Sequence, residues 1–207
     1  QTMGPLCGIF VGGAARRMAG FPKGLLPVGI QRLSIVDSLA NLASSLGCEV
    51  VLVGDNPAYR ALSLPVLADD PPGTGPLGGL RALLSASSAE PVLALGCDMP
   101  FVSKAVLCRL LAVDLRDADL AAAKTNPDAK LETFLARYAP SVKPHLDRAL
   151  SDGQLGLQKV WQTLRVKTVL LDDSEQQAAK DWDAWDDVPD DVKALLHLDQ
   201  TGGPTRT

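Results

Sequence analysis

Residues 8–24 read GIFVGGAARRMAGFPKG, and this stretch decides the fold. It opens inside a short apolar run, residues 6–11, that ends on the paired glycines Gly12 and Gly13. A run of that length and character reads as a buried strand. The loop that follows carries Arg16, Arg17 and Lys23, and no Asp or Glu occurs before Asp37. Glycines let backbone N–H groups approach phosphate oxygens, and Arg and Lys supply charge. The stretch therefore predicts a strand opening into a loop that holds a polyphosphate. A tight turn with a few solvated bases is the alternative.

Outward from this stretch, short apolar runs alternate with helix-like segments. Residues 34–46 place Ile35, Leu39, Leu42 and Leu46 at helical spacing, with Gly47 to end the helix. Strands are predicted at 49–53, 65–67, 91–95, 119–123, 132–138 and 166–171, and helices at 77–86, 142–151 and 189–196. Ser103 is placed to cap a further helix running to residue 111. Strand–helix alternation with wholly apolar strands predicts an α/β fold, a mostly parallel sheet covered on both faces. Such sheets bind ligands beyond the carboxyl ends of their strands, near a topological switch point. Two informative loops fall at such ends: residues 12–23, and Gly96-Cys97-Asp98-Met99-Pro100. No internal repeat interrupts the pattern. The reading is one domain over 1–207, with an ordered core over roughly 5–197 and a flexible tail over 200–207.

Of the 207 residues, 46% are apolar and 21% charged, which suits a globular protein with a sizeable core. The net charge of −4 gives no reason to expect a nucleic-acid partner. Between Asp172 and Asp191 there are nine acids and one base, Lys180, a local net of −8 that leaves +4 for the rest. A mildly basic body suits a small anionic ligand, and the acidic segment reads most simply as a solvated flank. The four cysteines, Cys7, Cys48, Cys97 and Cys108, form no Cys-x-x-Cys pair and read as reduced, buried thiols of a cytoplasmic protein. His145 and His197 have no partners at zinc-ligand spacing. The first apolar run is too short for a membrane span.

Asp98 ends an apolar strand, where a carboxylate could bring a divalent ion to nucleotide phosphates. A turn acid before Pro100 is the other reading. Residues 73–79, GTGPLGG, match G-x-G-x-x-G formally but follow Asp69-Asp70-Pro71-Pro72 rather than a strand, so they are not read as a dinucleotide fingerprint. A rigid loop leading into a helix still offers N–H groups to an anion or a base edge. The P-loop and nucleophile-elbow patterns are both missing from the sequence.

Taken together, the loops resemble the nucleotidyltransferase family that includes molybdenum cofactor guanylyltransferase. The family's glycine-rich signature is matched by Phe10-Val11-Gly12-Gly13, Arg17-Met18-Ala19 and Lys23-Gly24-Leu25-Leu26. Its Gly-Pro-Leu loop resembles residues 69–79, and its Cys-Asp-Met-Pro element stands unaltered at Cys97-Asp98-Met99-Pro100. A later family pattern resembles residues 132–138, ETFLARY. The resemblance implies a Rossmann-like three-layer fold of the nucleotide-diphospho-sugar transferase type. It also implies transfer of GMP from GTP to the terminal phosphate of molybdopterin, with release of pyrophosphate. In that scheme Val11, Gly12 and Gly13 lie against base and ribose. Arg16, Arg17 and Lys23 meet the phosphates, and Asp69, Gly75, Pro76 and Leu77 complete the nucleotide site. Lys23, Arg17 and Asp98 carry the catalysis, and Mg²⁺ sits on Asp98. The resemblance further suggests partner proteins that deliver molybdopterin or receive the product.

Some positions depart from the family pattern. Val11 stands for Ala, Ala19 for Gly, and Pro22 for a common Asp. The C-terminal Asn-x-Asn-Thr-Pro pattern is replaced by Trp185-Asp186-Asp187-Val188-Pro189, where Asp187 is either a second metal ligand or a solvated acid before a helix. CTP in place of GTP, a sugar-phosphate acceptor, or a nucleotide-binding accessory protein without catalysis are the alternative functions.

Overall fold

The structure is a computed structural model that describes residues 4–12, 18 and 20–201; of residues 197–201 it describes the backbone alone. The first strand, β1 (Leu6–Phe10), lies in the interior of a seven-stranded sheet. Its neighbours are β4 (Glu49–Val53) and β6 (Val92–Gly96), both parallel to it. Beyond β4 lies β5 (Val66–Leu67), and beyond β6 come β8 (Glu132–Tyr138), β7 (Leu120–Lys124) and β9 (Val166–Leu170). Only β8 runs antiparallel, against both β6 and β7. A small hairpin, β2 (Pro27–Val28) with β3 (Leu33–Ser34), stands apart from the sheet.

The chain leaves β1, fills one side with β4 and β5, then crosses back to place β6 on β1's other edge. That reversal makes the ends of β1 and β6 the switch point at which open sheets bind ligands.

Strand periodicity builds the three layers. Cys7, Ile9, Val50, Leu52, Leu93 and Leu95 point into one core, together with Ile35, Val36 and Leu39 of α1 (Ile35–Ser45) and Val106, Leu107 and Leu110 of α3 (Lys104–Ala112). Phe10, Val51, Val53, Val92 and Ala94 point the other way. They meet Leu77, Leu80 and Leu83 of α2 (Gly75–Ala86), Leu146 of α4 (Lys143–Ser151) and Val160 of α5 (Leu157–Trp161). With both faces covered, the strands need no polar side, hence their continuous apolar reading. Ser34 and Ser103 cap α1 and α3, accepting from Asp37 N–H at 3.0 Å and Val106 N–H at 3.3 Å. The last helix, α6, covers Asp190–Thr201.

Several expectations are corrected. α2 begins at Gly75, two residues before the expected start, so Gly75 and Pro76 belong to its first turn, where a proline's missing N–H costs nothing. The Leu77 side chain is therefore fully buried in the core beneath α2. Cys7 and Cys48 are buried, as expected, but Cys108 is exposed on α3. The tail over 202–207 lies outside the described residues.

Candidate active site

The carboxyl ends of β1, β4 and β6 gather around one cleft. Val11 N–H donates to the Val53 carbonyl at 3.0 Å, and Cys97 N–H to the Phe10 carbonyl at 3.3 Å, which carries the pairing past the strands into their loops. Gly54 adopts a left-handed φ of +104° with Gly12 against it. A Cβ at Gly54 would lie 2.9 Å from the Gly12 backbone, so a side chain there would force the two loops apart. The cleft encloses about 300 Å³. Phe10 and Phe134, with ring centroids 4.5 Å apart, form an apolar wall, and Val11, Gly12, Lys23, Asp69, Gly75, Pro76 and Asp98 contribute to its lining.

Lys23 enters from a 3-10 turn over Lys23–Leu25. The next residue fixes it. Gly24 is buried, its N–H donates to the Tyr59 hydroxyl at 3.0 Å, and a Cβ there would stand 2.6 Å from Val36 Cγ2. The lysine side chain is only 14% exposed, and its Nζ lies 3.9 Å from the Asp98 carboxylate. Asp98 lies two residues beyond Gly96, where a Cβ would come 2.7 Å from Asp98 Oδ1 and push the carboxylate from its place. Burial pushes the Asp98 carboxyl above its usual value, Lys23 opposes that shift, and Asp181 and Asp183 add to it. Glu132, at the start of β8, is raised by burial and by the charges of Asp181 and Asp98. The Cys97 thiol is pushed up to about 12, chiefly by burial and next by Asp98, so it stays protonated and is no nucleophile at neutral pH.

The other acids come from the C-terminal segment that the sequence presents as a solvated flank. Trp182 is buried, and its N–H donates to the Asp98 carbonyl at 2.8 Å. Its ring meets Phe101 edge-on at 5.7 Å, and Trp185 packs on Phe21 at 5.6 Å. These contacts fasten residues 180–187 against the loops after β1 and β6 as a strap, and Asp183 ion-pairs with Lys23. Asp187 is placed elsewhere. Its carboxylate accepts from Ala184 N–H at 2.7 Å, closing a local turn, and it does not line the cleft. The Asn-type motif drew attention to Asp187. Asp183 lies four residues earlier, and its only sequence signal is membership of the acidic run.

Asp69 lines the cleft and accepts from Gly75 N–H at 3.1 Å. Burial raises its carboxyl and that hydrogen bond lowers it. Val11, Gly12, Lys23, Asp69, Gly75, Pro76 and Asp98 are thus brought together, and Leu77 and Asp187 are not. Gly13, Arg16 and Arg17 lie outside the described residues.

A cleft at the switch point, with a lysine and a carboxylate facing one another inside it, defines a nucleotide-handling α/β protein. A family model described as "MobA-like NTP transferase domain" matches residues 7–169, and the chain belongs to that family of nucleotidyltransferases. A probable molybdenum cofactor guanylyltransferase of Carboxydothermus hydrogenoformans is 32% identical over 142 residues, covering 69% of each chain. Another, from Synechococcus elongatus, is 31% identical over 90% of this chain and 95% of the relative. Among solved structures, molybdopterin-guanine dinucleotide biosynthesis protein A from Archaeoglobus fulgidus superposes with a TM-score of 0.72. It covers 94% of this chain and 98% of its own at 22% identity, a likeness of fold. Among the described residues no helix is long and apolar enough to cross a membrane.

Proposed function

We propose that the protein is a guanylyltransferase of molybdenum cofactor biosynthesis, joining GMP from GTP to the terminal phosphate of molybdopterin. Lys23 and Asp98 facing one another across a single cleft at the switch point carry this reading. The membership of the family and the names of the relatives supply the base and the acceptor.

The nucleophile is an oxygen of the acceptor phosphate, already anionic, so no general base is needed. It forms a bond to the α-phosphorus of GTP as the bond from that phosphorus to the bridging oxygen breaks, and pyrophosphate leaves with the electron pair. The work of the site is to hold anions together and exclude water that would hydrolyse GTP. Lys23 meets the triphosphate, with Arg16 and Arg17 of the same glycine-rich stretch of sequence. Val11, Gly12 and Gly13 approach the nucleoside, and Asp69 with the first turn of α2 forms the facing side.

The donor chemistry fits Mg²⁺. Asp98 is a partly buried carboxylate just beyond a strand end, and it lines the cleft. That suits an ion that takes one or two carboxylates and completes its shell with phosphate and water. Asp98 would hold it, and bound there it would neutralise charge on the phosphates. Free cysteines suit a reducing cytoplasm. Proteins that supply molybdopterin or accept the product complete the proposal.

Pyrophosphate release is measured with each of four nucleoside triphosphates, with and without molybdopterin, in Mg²⁺. Turnover is expected with GTP and acceptor together. Asp98→Asn should lose about 3 kcal/mol or more of transition-state stabilisation, at least about a hundredfold in rate, while keeping its fold. Full turnover by this variant, or turnover confined to another triphosphate, would overturn the proposal.

A further inference from the structure

Lys23 already has an anion. Asp183 is ion-paired with it, and the second carboxylate, Asp98, stands 3.9 Å away. The position of Asp183 is set by its neighbours. Trp182 N–H is bonded to the Asp98 carbonyl at 2.8 Å, and the Trp182–Phe101 and Trp185–Phe21 ring contacts hold the strap on either side. The two partners differ in access: the Lys23 side chain is 14% exposed and the Asp183 side chain 34%. The lysine is thus the more enclosed partner, and the acid paired with it is the more open to solvent.

A phosphate that reaches Lys23 must displace this carboxylate and come to rest near Asp98. An internal competitor lowers apparent affinity by the fraction of protein in which it occupies the site. The competitor weighs most against a ligand bearing full negative charge. A ligand whose charge a divalent cation partly neutralises meets less repulsion from Asp98, Asp181 and Glu132, and the cation itself gives the displaced carboxylate a favourable neighbour.

We infer that Asp183 is a positioning residue that occupies Lys23 in place of a phosphate, so that the cleft discriminates against a bare nucleoside triphosphate and admits its divalent-cation complex. The inference rests on the proposed role of Lys23 in binding the triphosphate. It deepens that role by assigning a substrate-form preference to a residue outside the family's glycine-rich and Cys-Asp-Met-Pro elements.

The test is equilibrium binding of GTP by titration calorimetry, in EDTA and again in Mg²⁺, to the full chain and to Asp183→Asn, Lys23→Ala and the double variant. In EDTA, Asp183→Asn should bind GTP about fivefold more tightly than the unmodified chain, the scale of a partly exposed ion pair. Mg²⁺ should then improve its affinity by a smaller factor. The gain should vanish in the Lys23→Ala background, where there is no ammonium to release. Asp183→Ser serves as a second variant and should behave alike, with thermal melts to confirm folding. Unchanged or weaker metal-free binding by both Asp183 variants, with Lys23→Ala still impaired, would overturn this inference and leave the proposed function standing. If Lys23→Ala bound GTP as well as the unmodified chain, the role of Lys23 in the proposed function would fall too.

Discussion

Tyr59→Phe removes one oxygen atom and no carbon, yet it should reach the active site. The Tyr59 hydroxyl is buried and accepts the Gly24 N–H at 3.0 Å, one residue from Lys23. Burial raises the phenol's pKa, so the group is a neutral O–H at any working pH, and its other neighbour is Cys97 Sγ at 4.0 Å. Phenylalanine keeps the packing against Gly24, where a Cβ would stand 2.9 Å from Tyr59 Cε1, but leaves the amide without this acceptor. A buried donor so deprived costs about 1–3 kcal/mol. For a chain of this size each kcal/mol moves the melting temperature by about 2–4 °C, so a fall of about 2–12 °C is expected. The kinetic effect should be larger than this loss implies. The turn that carries Lys23 hangs on that hydrogen bond, and an ångström of misplacement in a positioning residue costs up to about a hundredfold. The assay is a melting curve beside pyrophosphate release at varied GTP, with the rate constant and KM resolved separately. A variant that melts within about 1 °C of the parent and keeps its kcat/KM would refute the claim that Tyr59 sets the lysine.

Two further outcomes follow from groups outside the cleft. Asp119 is 5% exposed and accepts from Arg165 N–H at 2.8 Å, from the Arg165 guanidinium at 2.9 Å and from Ser141 at 2.7 Å. The Arg165 hydrogen bonds, chiefly, hold its carboxyl well below the usual range. A depressed folded pKa stabilises the fold above the unfolded value near 4, and that stability is lost as pH falls through the folded value. Asp119→Asn should therefore melt several degrees lower at pH 7, with the difference narrowing below about pH 4; a constant difference from pH 7 to pH 2 would contradict this. Trp185→Ala should loosen the strap by deleting its contact with Phe21, and limited proteolysis over residues 172–188 should speed up by about tenfold, with an unchanged cleavage pattern counting against the strap.

What could be read in the sequence was what is local. The apolar run of β1, the Ser34 and Ser103 caps, the helical spacing of Ile35 and Leu39, and the strand that ends at Gly96 just before Asp98 each carry their signal within a few residues. Lys23 and Asp98 are legible for the same reason, since each belongs to a short motif. The misses are products of long-range contact. β8 has the composition of any buried strand, and its direction is decided by pairing with β6 and β7. The β2–β3 hairpin has two residues per strand, too few to show alternation. Asp183 looks like its acidic neighbours until the Trp182 amide meets the Asp98 carbonyl, 84 residues away, and brings it to a lysine 160 residues earlier. Leu77 belongs by resemblance to the nucleotide loop, and the first turn of α2 directs its side chain into the core.

The strap also sets the order in which the protein can come to life during synthesis. Lys23 and Asp98 leave the ribosome within the first half of the chain, and the sheet is finished when β9 emerges at Leu170. Residues 180–187 emerge later still, so a nascent chain can own a complete sheet while its cleft stands unguarded. The Lys23–Asp183 pair is then acquired only after the last strand of the sheet has been made.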